Sequence, residues 1–535
     1  MDLLALVSFF GVTLLVAVVS WWKTRDTDLS HSTGYYLAGR SLTWFTIAAS
    51  LILTNISTEQ LIGLNGNAYS FGACVMAWET VAAIAMVVMA LYFLPRYLKS
   101  GITTIPQFLE LRFGRKMRSM VSLMFLVALT LSYLPFVLYS GAISMNSLFH
   151  VDQLLGISPE ASIWLMVILQ SLSGVAYAIW GGLKATSISD ALYGVGLYAG
   201  GLLIPVLGLW KLGDGHFGEA FRILVENRPD LLSPVGAPDA NIPFSTLFTG
   251  MLIINLFYWC TNQMIVQRAF GARDLAEGQK GVLFAAVLKL VGISILVLPG
   301  IIAWHLVAQG KITVGHADLA YPVLVASVLP SWLTGFFGAV MFGAILSSFY
   351  GGLNSVTTLF GVDIYKPLLR KSASDREVVL AGRLFGSALV VLCVLLAPSI
   401  AHAPEGLYTL MRKLMAFFNI PILSIILLGV LSKRASALCA YIAVPVGIVF
   451  YGWFGFHQNG VMWGHSVHWL HVAGLNLLLI LSIMAVVRLW KPMPAPFVQH
   501  YTGEVDLTFW KYAKPAGLAI VLAVVAIYLV LGRLG

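Results

Sequence analysis

The chain has 535 residues, 59% of them hydrophobic and only 10% charged, with a formal net charge of +9 and a mean hydropathy of +0.87. Soluble domains carry about 25% charged residues, so this composition describes a polytopic membrane protein, 1–535 being one membrane domain. The basic excess sits in short loops, as membrane topology demands, which excludes nucleic acid as the partner and leaves the lipid bilayer.

Apolar runs of about 20 residues each suffice to span a bilayer. They fall near 3–22, 43–70, 73–95, 119–147, 161–179, 187–209, 244–267, 280–307, 324–362, 378–398, 406–431, 435–456, 468–489 and 512–532, about fourteen crossings of an all-α protein. The long 324–362 run leaves room for a short helix ahead of a tilted one. The first run, MDLLALVSFFGVTLLVAVVSWW, starts acidic, has no basic n-region and ends in an interfacial Trp pair. It reads as a retained helix and not as a signal peptide.

The second run enters the stretch from Ser50 to Glu79, where Thr54, Asn55, Ser57, Thr58, Glu59, Gln60, Asn65, Asn67 and Glu79 stand between apolar flanks. An unsatisfied polar group in hydrocarbon costs several kcal/mol, so this helix faces protein or a water-filled cavity. Thr54, Asn55 and Ser57 compete for backbone hydrogen bonds and Gly63, Gly66 and Gly72 follow, which predicts a broken helix. Such breaks near the midplane free carbonyls for a cation and amides or hydroxyls for a solute.

Further polar residues lie at membrane depth: Asp190, Asn255, Tyr258, Trp259, Asn262, Gln263, Lys289, Ser347, Ser348, Arg412 and Lys413. A lone charge at a helix centre costs about 2.5–3.5 kcal/mol on insertion scales. Mutual pairing around one cavity, Glu79 with Lys289 or Lys413, is the cheapest solution; the blander reading is that these charges only brace helix packing. Ser347 and Ser348 either bond the carbonyl one turn back or face the break, where a small set of hard oxygens suits Na⁺.

Basic loops at Lys23/Arg25, Arg96 to Arg118, Lys184, Arg268 to Lys280, Lys366 to Arg376, Lys433/Arg434 and Arg488/Lys491 fall on alternate connections. Connections 148–160, 309–320, 399–405 and 457–467 are poor in basic residues or mixed, and 210–243 carries both signs. The positive-inside rule therefore places both termini outside. Cys74, Cys260, Cys393 and Cys439 lie in apolar segments without metal spacing and read as small buried hydrophobes. The Asn55-Ile56-Ser57 sequon is mid-membrane and accidental. His465, His468 and His471 recur every three residues at an outer interface; with no carboxylate near in sequence, interfacial histidines are a better reading than a metal site.

These stretches together carry a resemblance. TNISTEQLIG, GITTIPQFLELRFG, YAIWGGLKA, NLFYWCTNQMIVQR, QKGVLFAAVLKL, SSFYGGLNS and VDIYK, in this order, resemble the solute:sodium symporter family and its sodium/sugar branch. The resemblance implies a LeuT-type fold of two inverted five-helix repeats with flanking helices. They would lie at 43–209 and 244–431, with 1–42 and 432–535 outside them. It implies Na⁺ as coupling ion, held by the carbonyls of Leu53, Ile56 and Ala344 and the hydroxyls of Ser347 and Ser348, with Asp190 on the ion exit route. Relatives with a second ion site use hydroxyls three and four residues after the first serine; here Tyr350 and Gly351 stand there, which implies one Na⁺ per cycle.

The implied solute site is Asn55, Gln60, Glu79, Asn255, Trp259 and Lys289, with Tyr258 as inner gate. Trp78 replaces the family's outer-gate tyrosine, Ala82 a serine, and Lys413 a sugar-binding glutamine. The solute is then a neutral monosaccharide, with Lys413 paired to Glu79, or an acidic sugar such as a uronate, with Lys413 in contact. A non-sugar organic solute and a transporter-like solute sensor are the alternatives. No nucleophile with a base, HExxH or phosphate-binding glycine loop points to an enzyme.

Overall fold

The computed structural model describes residues 3–238, 240–398, 407–458, 460–462 and 464–534, with the side chains of 59, 147, 148 and 407–412 left out. The 399–405 connection and the side chains of Glu59 and Arg412 therefore lie outside the described residues. Among the described residues eleven helices are long and apolar enough to cross a membrane, joined by the shorter apolar Trp44–Asn55, Gly250–Cys260 and Ala317–Val328. Eleven is fewer than the fourteen runs read from the sequence, and neighbouring runs are joined in single helices: Pro159–Leu212 is 54 residues long, and about 20 suffice for one span. That helix kinks at Gly182, which holds φ 64° and ψ −169°, a region open to glycine. The 324–362 run divides as expected into Ala320–Val328 and Ser331–Thr358.

Proline explains several irregular turns. Pro95 and Pro135 lack an N–H and crowd the carbonyl four residues back, which for each falls inside the wide π-type turn that ends two residues before it, Met89–Phe93 and Leu129–Tyr133. Pro367 sits inside a third, Leu359–Leu369.

Leu3–Thr24 packs along Ser331–Thr358 and Gly181–Leu212, so the first helix is part of the bundle. Trp44–Asn55 packs against Leu275–Leu296 and Gly181–Leu212, and Ala77–Val88 against Leu275–Leu296 and Gly250–Cys260. Close approach fixes Gly343: a Cβ there would lie 2.3 Å from the Tyr193 ring. All four cysteines are buried and free.

Three arginines counted as loop residues from sequence, Arg112, Arg118 and Arg268, are buried instead. Arg118 donates through Nε to Asp363 Oδ1 at 2.7 Å and through Nη2 to Val362 O at 2.8 Å, and pairs with Glu110. Asp363 also accepts from Thr104 Oγ1 at 2.9 Å and Ser122 Oγ at 3.2 Å. Removing one partner of a buried pair costs about 3–5 kcal/mol, whereas removing both is often near neutral. Arg118→Met is therefore expected to lower the melting temperature in detergent clearly, and Arg118→Met with Asp363→Asn to recover most of the loss. An Arg118→Met protein melting like the wild type would show that the cluster does not hold this end of the bundle.

Candidate transport site

The predicted break is present. Trp44–Asn55 ends at Ile56 (φ −84°, ψ 89°), and Thr58–Phe71 begins after Ser57. Ser57 N–H donates to Asn55 O at 3.1 Å and Gln60 N–H to Ser57 O at 3.1 Å. The donors a continuous helix would aim at Leu53 O and Ile56 O are thus spent elsewhere. A second break separates Gly250–Cys260 from Gln263–Phe270, where the Asn262 side chain caps Met264 N–H at 3.1 Å. Gln263 Oε1 then accepts Ile105 N–H at 2.9 Å, so Asn262 and Gln263 build this break.

At the first break Ser348 Oγ donates to Thr54 O at 2.9 Å, and Ser347 Oγ lies 3.1 Å from Thr54 Oγ1. Leu53, Ile56, Ala344, Ser347 and Ser348 are all fully buried. The structure therefore brings the hydroxyl pair of Ser331–Thr358 onto the broken segment.

One turn below, Asp190 accepts from Ser50 Oγ and Tyr350 OH in short hydrogen bonds. Arg268 Nη2 lies 3.7 Å from it. Sequence reading placed Arg268 at the start of a basic loop; the structure corrects this. Arg268 is on Gln263–Phe270, 1% exposed, donating to Ser50 Oγ at 2.8 Å and Met264 O at 2.6 Å. A Cβ at Gly351 would meet its Nη2 at 2.9 Å, so glycine makes room for the guanidinium. The acid at 190 in an apolar neighbourhood was the one signal that a cation had to come inward.

A cavity opens toward the second helix half. It is lined by Asn55, Gln60, Trp78, Glu79, Ala82, Ile254, Asn255, Tyr258, Trp259 and Lys289. Its volume is about 10 Å³, room for about one water. Pockets for drug-sized ligands run to about 300–1,000 Å³, so this is a closed state in which the polar side chains meet one another. Lys289 Nζ lies 2.5 Å from Glu79 Oε2 and 2.5 Å from Asn55 Oδ1, and 5.7 Å from the Trp259 ring centre. Both charges are 1% exposed, so the pair is neutral as a unit and its attraction is little screened. Asn255 Nδ2 bonds back to Met251 O at 3.0 Å. Gln60 Oε1 and Glu79 Oε1 are buried with no hydrogen-bond partner among the described residues.

Trp78 stacks on Trp469 at 6.5 Å, and Tyr258 meets Trp259 edge-on at 5.2 Å. Lys413 is 7% exposed on Leu407–Leu431, which packs against Gly250–Cys260, and is not among the lining residues. His468 Nε2 lies 3.1 Å from Asn241 O, and His471 bonds Ser245 Oγ at 3.0 Å and Thr249 Oγ1 at 2.9 Å. These two histidines clamp the 241–249 segment to the Trp469–Trp490 helix; His465 sits in a two-residue strand against Val461–Met462.

Two helices broken within the bundle, polar groups gathered at the breaks and a closed central cavity define a secondary transporter. Solved structures agree in fold: a Na⁺-coupled sialic acid symporter in a substrate-bound, outward-open state has a TM-score of 0.77 at 19% identity, covering 93% of this chain and 99% of that one. Mhp1, a nucleobase-cation-symport-1 family transporter in a closed conformation, has 0.51 at 16%, covering 90% and 97%. The sodium:solute symporter family profile matches residues 35–447, and the chain belongs to that family. It is 45% identical over its whole length to an uncharacterized symporter, YidK, of Escherichia coli (strain K12), covering 92% of that protein. Identity is 30% to a sodium/glucose cotransporter of Vibrio parahaemolyticus, over 82% of each chain. It is also 30% to a sodium/myo-inositol cotransporter of Mus musculus, over 84% of this chain and 66% of that one. The protein is an integral membrane transporter of LeuT-like fold, with Na⁺ as coupling ion.

Proposed function

We propose that this symporter takes up a neutral sugar or polyol with one Na⁺ per cycle across the bacterial inner membrane, with both termini outside. The observation that supports the neutral solute best is the Glu79–Lys289 pair. It cancels charge inside the cavity while leaving Gln60 Oε1 and Glu79 Oε1 as acceptors for hydroxyl donors. Lys289 and the amides of Asn55 and Asn255 supply donors, and Trp259 offers a ring face to the solute's C–H face. Sugar and inositol cotransporters among the relatives support the same class.

Na⁺ sits at the first break, on the carbonyls of Leu53, Ile56 and Ala344 and the hydroxyls of Ser347 and Ser348, and ties the 43–209 repeat to the 244–431 repeat. Segments 1–42 and 432–535 stay outside the repeats. Bound Na⁺ favours the outward-open state by its differential affinity and sets Asn55 and Gln60 for the solute. The outer side closes at Trp78, the inner side opens at Tyr258, and Na⁺ leaves past Asp190. Tyr350 and the Arg268 guanidinium fill the neighbourhood of Asp190, which supports a single ion. One charge crossing 100 mV supplies about 2.3 kcal/mol, roughly fifty-fold accumulation.

The test is uptake into proteoliposomes under an imposed Na⁺ gradient with labelled neutral hexoses, inositols and uronates, alongside Lys413→Gln. A neutral solute carried equally well by Lys413→Gln is the expected result. Uronate uptake that Lys413→Gln abolishes would overturn the neutral reading in favour of an acidic sugar at Lys413. No Na⁺-dependent uptake of any of them would leave a non-sugar organic solute.

A further inference from the structure

A second cavity lies on the bilayer side of the bundle, away from the transport site. It is a cleft of about 500 Å³ between Leu275–Leu296, the start of Trp44–Asn55 and the terminal helix Ala513–Leu531. Its body is apolar, walled by Phe284, Val287, Leu290, Ile520 and Ala523. Its two ends differ in chemistry. Lys280, Trp44 and Trp510 line one end only, because three bonds tie them to a single turn: Trp44 N–H to Glu277 Oε2 at 2.9 Å, Trp510 N–H to Gln279 Oε1 at 3.0 Å, and Lys280 Nζ to Glu277 Oε1 at 3.0 Å. Exposed Lys511, just before the terminal helix, and exposed Lys514, in its first turn, lie at this same end. From Lys280 to Leu290 the helix rises about 15 Å, half of a hydrocarbon core about 30 Å thick. The cleft thus has the length of one leaflet, indoles at the headgroup level where tryptophan concentrates, and cationic groups where anionic headgroups are attracted.

We propose that this cleft is a site for one anionic phospholipid of the leaflet facing the basic loops. Its acyl chain lies along Val287, Leu290 and Ile520, and its phosphate is at Lys280. The proposal rests on the chain spanning a bilayer and not on which solute it carries. The cleft flanks the helix that also holds Lys289, nine residues beyond Lys280, so lipid in the cleft braces the element behind the transport site.

The test is native mass spectrometry of the purified full-length protein in micelles containing equal phosphatidylglycerol and phosphatidylcholine. The expected result is one retained phosphatidylglycerol per chain, favoured over phosphatidylcholine at least five-fold. Val287→Trp and Ala519→Trp, which fill the cleft from two different helices, should each lower retention at least five-fold. Lys280→Gln, an exchange at the membrane edge that leaves the apolar walls intact, should erase the headgroup preference without erasing retention. Equal retention of both lipids by the wild type overturns the proposal, as does undiminished phosphatidylglycerol on the tryptophan variants or an unchanged preference in Lys280→Gln.

Discussion

Glu79→Gln is expected to lower Na⁺-driven uptake by at least 100-fold and to lower the melting temperature as well. Lys289 Nζ rests against Glu79 Oε2 and Asn55 Oδ1, each at 2.5 Å, with both charges withdrawn from water. A glutamine keeps the shape and removes the countercharge. Leaving one buried charge uncompensated costs about 3–5 kcal/mol, and about 1.4 kcal/mol is tenfold in an equilibrium. Lys289→Gln alone should be as damaging, since it leaves a carboxylate buried on Ala77–Val88. The double variant Glu79→Gln with Lys289→Gln separates two roles. If the pair both holds the bundle and binds solute, the double variant should regain most of the lost melting temperature and still fail to transport. Uptake by Glu79→Gln within about three-fold of the wild type would reduce the pair to packing.

Ser347→Ala and Ser348→Ala are each expected to raise the Na⁺ concentration for half-maximal uptake by about 10- to 150-fold. A hydrogen-bonding group facing a charge is worth about 1.5–3 kcal/mol, and each serine would present its hydroxyl to the ion directly. Solute affinity at saturating Na⁺ should change far less, because neither hydroxyl lines the central cavity. Ser355→Ala is the control: its hydroxyl bonds Gly351 O at 3.1 Å two turns further along the same helix, and its loss should leave Na⁺ dependence unchanged. Half-saturation measured as uptake against Na⁺ concentration decides the matter. A Ser347→Ala/Ser348→Ala double variant with wild-type Na⁺ dependence would put the ion elsewhere.

Much of the candidate site was legible because the bilayer makes polarity conspicuous. Asn55, Gln60, Glu79, Asn255 and Lys289 stand out in apolar runs, and the structure gathers all five around one cavity. The break at Ile56 was legible in Thr54, Asn55 and Ser57, whose side chains compete with the helix ladder. Lys413 shows the limit of the same reasoning. A buried lysine on the right helix need not face the cavity, since one residue of helix turns a side chain by about 100°. Arg118 and Arg268 show the opposite error. Counting basic residues between apolar runs assigns them to water, yet both turn inward to the buried acids Asp363 and Asp190. Charge counting sees that a cation lies near a membrane edge, and only packing shows which carboxylate it meets.

By itself the sequence determined that the chain lives in a membrane, roughly where its helices run, that one of them breaks after Asn55, and which buried polar residues had to find partners. Those are local facts of hydrocarbon solvation and backbone competition, and each is written within a few turns of chain. Which partners they found was decided by the tertiary structure: Lys289 with Glu79 across 210 residues, Ser348 with Thr54, Arg268 with Ser50 and Asp190, and the lipid-length cleft along the terminal helix. The physical reason is that in a low-dielectric medium many cation–carboxylate pairings would satisfy the same charges. The choice among them is made by helix crossing and by glycine contacts such as Gly343 on Tyr193 and Gly351 on Arg268, which involve residues far apart in the chain.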